Sequence, residues 1–435
     1  MTAMRASSSG YLESLLAGQP RLPPSPLGWL NRLRAHAVDR AGALTVPTAA
    51  DEEWRFTDLS PLTRRSFQPV QIPTRLAPTD VERFFLDEAP VRLVFVDGAY
   101  AAELSSPANE RACVAVNLPA ALEAHAASLE PHLGRHALFE QSAFTALNTA
   151  FLHDGAVIVV PRNARAAAPV HLLFISTRNG SVSHPRCLVV AGAGSELTLV
   201  EDYVALHEES SFTNAVTEIA LADQARVTQV RVQRESGAAF HIANCSVALG
   251  RASRYRSVSV TLGARLSRLD LNVVQAAEGA ECAIDGVALI GGEQLADTHT
   301  LIDHAKPHGV SRQLHKCIAG GSSHAVFNGK ILVRAGAQQT DSSQSSRNLL
   351  LSGKAQVDTK PQLEIFADDV KCAHGATVGQ LEPDEVFYLR SRGLSEATAR
   401  NLLTYAFGAE VIERIPLGSL KTRLEQAVLE RTSGQ

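Results

Sequence analysis

The chain has 435 residues, 45% of them hydrophobic, and a formal net charge of −4. That length supports two or three domains with proper cores, and the mild acidic balance lacks the basic excess of a nucleic-acid binder. The first twenty residues show no apolar leader core, and runs such as Val157–Val160 and Leu188–Ala193 are too short to span a bilayer.

Residues 1–150 read as a mixed, partly helical N-terminal domain. Leu30, Leu33, Ala37 and Val38 fall at helical spacing after a proline-rich stretch (Pro20, Pro23, Pro24, Pro26). The segment Glu53-Trp54-Arg55-Phe56-Thr57-Asp58-Leu59 reads as a packing anchor, since Trp and Phe serve cores more often than sites.

From residue 151 to 380 strand follows strand. Leu197–Val200, Val227–Val232, Val258–Leu262 and Leu269–Val273 all alternate, with polar partners such as Thr198, Gln229, Arg231, Ser259 and Asp270 giving one wet face. A small residue beside a turn precedes several strands: Ser195, Ala225, Ala252 and Ala280, at intervals of 27 to 30 residues. A unit of that size in an all-strand region suggests a stacked solenoid, foremost a β-helix, with a sandwich or barrel as the alternative. The strip Gln338–Asn348 reads as a solvated turn and strand edge.

Residues 381–435 read as a helical domain. Asp384-Glu385 suit a helix N-terminus, and Arg392-Gly393 are read as the break between the two helices that follow. Ser395 is the expected N-cap of an amphipathic helix carrying Ala399, Leu402, Leu403, Ala406 and Phe407. Leu420, Leu424, Ala427 and Val428 mark another helix.

The most telling stretch is Asp358–Thr377. A strand with Leu363, Ile365 and Ala367 on one face is expected to run through Asp368-Asp369 and to end on Cys372-Ala-His374. Side chains two apart on a strand share a face, so a thiolate and an imidazole are offered to one metal ion. The plain alternatives are a small buried thiol and a hydrogen-bonded edge histidine. His315-Lys-Cys317 mirrors that pair, and His299, His304, His308 and His324 lie in the same region. Six widely scattered cysteines (Cys113, Cys187, Cys245, Cys282, Cys317, Cys372) do not read as a secreted disulfide framework. A cytoplasmic, reduced setting is the expectation.

Familiar catalytic signatures are absent. Gly329-Lys330 and Gly353-Lys354 lack the rest of a P-loop, so no ATP site is expected in this chain. No Rossmann fingerprint, nucleophile elbow, HExxH or CxxC occurs. The acids Asp358, Glu364, Asp368 and Asp369 leave open a β-helix lyase or glycosidase, although such a site needs a defined carboxylate separation. A homo-oligomeric structural solenoid is a further alternative.

The segment His324–Phe407 resembles the SufB/SufD family of the SUF iron–sulfur cluster assembly system. The residues that carry the likeness are Phe327-Asn-Gly329-Lys-Ile331, Ala337-Gln338 to Thr340, Asn348-Leu-Leu-Leu-Ser352, Asp358-Thr-Lys-Pro-Gln-Leu-Glu364, Lys371-Cys-Ala-His-Gly-Ala-Thr377 and Phe387-Tyr-Leu-Arg-Ser-Arg-Gly393. Upstream, Glu53–Leu59 resembles an N-terminal signature of the SufD branch. SufB-type chains have His-Glu-Ala-Thr where this one has His374-Gly-Ala-Thr377, and carry a cysteine where Asn348–Lys354 has none. Both departures fit the SufD branch.

The resemblance implies a right-handed parallel β-helix core and a non-catalytic scaffold subunit of a SufBCD complex. It implies pairing with a SufB-type subunit through the last core strands, and C-terminal helices that dock the SufC ATPase. A nascent cluster or iron would be held transiently at the SufB–SufD interface, with His374 and its neighbour Cys372 as candidate ligands. A homodimer is compatible with the chain on its own, and neither nucleic acid nor membrane is expected as a partner.

Overall fold

The computed structural model describes residues 10–433. Residues 1–9 and 434–435, which belong to the leader reading and to the two expected end domains, lie outside the described residues.

Alternating strands build two sheets that face each other. Among the described residues one sheet has twelve strands and the other ten, and successive strands of the core enter them in turn. The result is a parallel β-solenoid of about eight turns, with helical segments before and after it. Pairing in the second sheet matches Glu196 with Arg226, Arg226 with Arg254, Arg254 with Glu281, Glu281 with Val310, Val310 with Asp341 and Thr340 with Val370. These offsets of 27 to 31 residues continue the expected repeat through the region where the sequence pattern fades.

One corner recurs with a strict geometry. Gly194, Gln224, Ala252, Gly279 and His308 all sit at left-handed φ between 53° and 68°. The N–H of each donates to a carbonyl in the corner of the next turn: Asp223, Arg251, Glu278, Pro307 and Gln338 respectively. The hydrogen-bond ladder therefore runs through the bend as well as along the strands. The small residue that stacks beside this corner is Ser195, Ala225, Ser253 and Ala280, all fully buried. Ala252, read as part of that set, instead takes the left-handed position one residue earlier. Polar groups line part of the solenoid interior: buried Glu201 accepts from Tyr203, Thr217 and Gln229.

Both outer faces are covered, by different means. On the first sheet the column Val182, Phe212, Phe240, Leu266 packs against Phe67 and the helices Gly28–Ala43 and Ala143–Ala150. On the second sheet Val200, Val230, Val258 and Leu314 pack under the helices Glu396–Ile412 and Gly418–Ser433, through Val411, Ile412, Leu420, Leu424 and Val428. Gly408 sits at the closest approach, where a Cβ would come within 3.3 Å of Ile318. Ser395 caps the first of these helices through Thr398 N–H, as expected. Its buried face, however, is Ala399, Thr404, Gly408, Val411 and Ile412, whereas Leu402 stays exposed. Gly393 (φ 93°) breaks the chain one helix earlier than read, between Pro383–Ser391 and Glu396–Ile412.

The anchor Glu53–Leu59 is a strap across the outer face of the first sheet. Thr57 Oγ1 donates to Asp297 at 2.5 Å, and the Arg268 guanidinium lies 3.8 Å from the Trp54 ring centroid while donating to Glu53 O at 2.7 Å. Asp297 sits well below the usual carboxylate range, at about 2, because Arg268 and His299 outweigh the penalty of its burial. Burial opposes the charge on His299, but Asp297 and a hydrogen bond donated to Glu53 prevail and raise it to about 9.

The two ends of the solenoid are unlike. At the N-terminal end Val91–Val96 pairs with Val170–Ser176, and Val114–Asn117 adds antiparallel to Ala156–Val160. At the C-terminal end Gln356–Ile365 and Val370–Gly379 terminate their sheets, each paired on one side only among the described residues.

Candidate functional site

The open C-terminal end is where the singled-out residues meet. The stretch Asp358–Thr377 is two strands rather than one. Gln356–Ile365 closes the first sheet, and Val370–Gly379 closes the second. Asp368-Asp369 form the corner between them, where Gln339 N–H donates to Asp369 O at 2.6 Å. A polar, charged run of this kind is better solvated in a bend than paired across a sheet.

Cys372 and His374 stand two apart on Val370–Gly379, in register with Ser342 and Gln344. Those partners are buried on the solenoid's inner side: Ser342 bonds to Ser311, which bonds to His304 across the interior, and Gln344 bonds to Gln313. Register therefore assigns Cys372 and His374 to the inward face of the last rung, at the mouth between the two sheets. Cys372 is half-buried among Leu363, Val370, Ile331 and Val333, and His374 is exposed. Burial raises the Cys372 thiol above its ordinary range, so without a metal it stays protonated at neutral pH. The other five cysteines are buried, and desolvation pushes Cys245, Cys282 and Cys317 up to about 12. Cys372 is thus the accessible thiol among the described residues.

The remaining candidates disperse. His315 and Cys317 lie two strands away from Cys372 in the same sheet, with Thr340–Leu350 between. His315 stacks on Phe327, with ring centroids 4.6 Å apart, and its Nδ1 is 3.5 Å from Cys317 Sγ. Burial holds His315 and His304 neutral, near 4. His299 binds the strap through Glu53 at 3.3 Å, His308 sits at a corner, and His324 pairs with Asp358 at 2.7 Å. Glu364 is bound to Lys330 at 2.7 Å, so the four acids are spread between ion pairs and a corner. Among the described residues no three of His, Cys, Asp and Glu converge on a metal position. Cys372 and His374 are a sulfur and a nitrogen group of kinds that suit iron, and among the described residues no third such group joins them.

The strip Gln338–Asn348 is not a solvated edge. Thr340–Leu350 is paired on both sides, and Ser342, Gln344, Ser346 and Asn348 are buried on its inner face. Every second residue of the strip is polar and inward, and alternation alone cannot tell a wet outer face from a polar interior. Only the register, once known, places Gln344 beneath His374.

The description "SUF system FeS cluster assembly, SufBD core domain" matches residues 174–407, and "SufBD protein N-terminal region" matches residues 15–172. A protein of Synechocystis named as an iron–sulfur cluster assembly SufBD family protein is 42% identical over 92% of this chain and 90% of its own length. The iron–sulfur cluster assembly protein SufD of Escherichia coli is 33% identical over 89% of this chain and 90% of its own. SufD of Bacillus subtilis is 27% identical over 93% and 94%.

Proposed function

This chain belongs to the SufBD family of iron–sulfur cluster assembly proteins, and on that premise we propose that it is the SufD-type scaffold subunit of a SufBCD complex. It carries no catalytic step of its own. Its unsealed end takes strands of a SufB-type subunit by edge pairing, and iron and the nascent cluster are cargo held at that junction. Cys372 and His374 face the junction from this side, and the partner completes the coordination. Among the described residues no helix is long and apolar enough to cross a membrane.

The observation that carries this reading is the asymmetry of the solenoid. A chain that seals one end with its own strands and leaves the other bare, with a thiol and an imidazole at the mouth, is built to be completed. The helices beyond the core supply the second contact. Phe387 (71% exposed), Tyr388 (56%) and Leu402 (44%) are large apolar side chains left in water, and they suit docking of the SufC ATPase. ATP-driven closure of that subunit would pull on helices packed across the second sheet and so load the junction.

Co-purification with SufB-type and SufC subunits, followed by anaerobic reconstitution with iron and sulfide, tests the reading. A stable complex with iron–sulfur absorbance is expected, and His374→Ala should lower that absorbance several-fold without changing the fold. Failure to form a complex with either partner would overturn the assignment; full absorbance in His374→Ala would remove the ligand role.

A further inference from the structure

Three stretches singled out in the sequence converge inside the mouth. Gly329 pairs with Pro361 in the first sheet, and Gln344 pairs with His374 in the second. The two rungs touch across the interior: a Cβ on Gly329 would lie 2.3 Å from Gln344 Nε2 and 2.7 Å from its Cδ. A side chain at Gly329 would displace that amide and the Phe327 ring, 2.7 Å from the same Cβ position.

Gln344 is 3% exposed, and its two amide ends have different fates. Nε2 donates to Gln313 Oε1 at 2.8 Å, and the Gln313 amide is itself engaged with Thr300. The carbonyl end, Oε1, is buried without a partner among the described residues. A buried acceptor left unpaired is a standing cost to the fold. Nε2 is spent on the rung below, which leaves Oε1 for another donor. The rung above, in the same inward column, carries His374. A metal-bound imidazole has one ring N–H left, and that N–H is usually donated to a carbonyl or carboxylate, which fixes the ring.

We propose that Gln344 is a positioning residue for His374. Its free amide oxygen accepts the ring N–H, so the other ring nitrogen faces the mouth and the iron cargo, and Gly329 keeps the space for that amide. The proposal rests on His374 being a ligand, and it places the metal between the sheets rather than on the outer surface.

The test uses cobalt(II) as the probe, titrated into the full chain co-purified with its SufB-type partner and read by ligand-field absorption. His374→Gln identifies the part of the signal that depends on His374. Gln344→Met keeps the length and removes the acceptor. It should weaken that component about 10–100-fold in affinity while thermal unfolding stays near wild type. Gln344→Glu keeps an oxygen in place, the Gln313 amide turning its NH2 toward it and accepting from the Thr300 hydroxyl instead of donating to it, and should retain near-wild-type affinity. Wild-type affinity in Gln344→Met, together with loss in His374→Gln, means the oxygen is merely hydrated and overturns the proposal while the ligand reading stands. Equal loss in Gln344→Met and Gln344→Glu also overturns it, since a general packing defect then explains both. A cobalt spectrum indifferent to His374→Gln removes the ligand reading and the proposal with it.

Discussion

The first and last turns of the solenoid are made of the same repeat and end differently. In the first, Phe174 stacks between Phe95 and Tyr203 at 5.2 and 4.8 Å, under strands the chain supplies itself. In the last, Leu363 and Cys372 are only half-buried and their strands have one neighbour each. A bare parallel edge exposes a row of unpaired N–H and C=O groups, which proteins ordinarily cover. The contrast shows that exposure at the C-terminal end is not a general property of the repeat.

The largest expected effect separates those ends directly. Phe174→Ala should destabilise the isolated chain by about 3–5 kcal/mol, whereas Leu363→Ala should cost on the order of 1 kcal/mol, because little apolar surface is buried there without a partner. Urea unfolding of the two variants measures this, and equal losses would show that the open end is as well packed as the closed one.

The next effect sets the outer strap against the interior. His299 lies among Asp297, Glu53, Arg268 and Asp270, and its folded pKa of about 9 exceeds the ordinary 6.5. Its contribution is complete below pH 6.5 and is lost as pH rises through 9, amounting to at most ~3 kcal/mol. His304 and His315, held near 4, act with the opposite sign: their contribution is present above pH 6.5 and fades as pH falls toward 4. Unfolding of His299→Gln and wild type between pH 6 and 10 should converge at the alkaline end; parallel curves would count against the strap assignment.

The smallest effect lies where the strap meets the open end. Lys360 and Glu52 pair at 2.9 Å with 34% and 74% of their side chains exposed. Glu52→Ala should cost less than ~1 kcal/mol, and a larger loss would mean that the strap, not the sheet, holds the last strand in place.

Much of this architecture was legible in the sequence. The ~30-residue period, the helix containing Leu30 and Ala37, the Ser395 cap and the strand carrying Cys372 and His374 are local patterns, and local patterns survive in one chain. What escaped was everything decided by register. Asp368-Asp369 looked like the middle of one strand because alternation continues on both sides of the corner. The polar strip around Gln344 looked solvated because its partners lie a full turn away. Val91–Val96 gave no sign of joining a sheet whose next strand begins at Val170.

The ladder of left-handed corners has a consequence for biosynthesis. Each corner bonds to the one that follows, so a turn is finished only when its successor exists, and neighbour-by-neighbour stacking lets turns be laid down in the order the ribosome delivers them. The rung bearing Cys372 and His374 is then the last of the ladder to be set. A chain stalled or cleaved before that point presents neither Cys372 nor His374 at an open mouth.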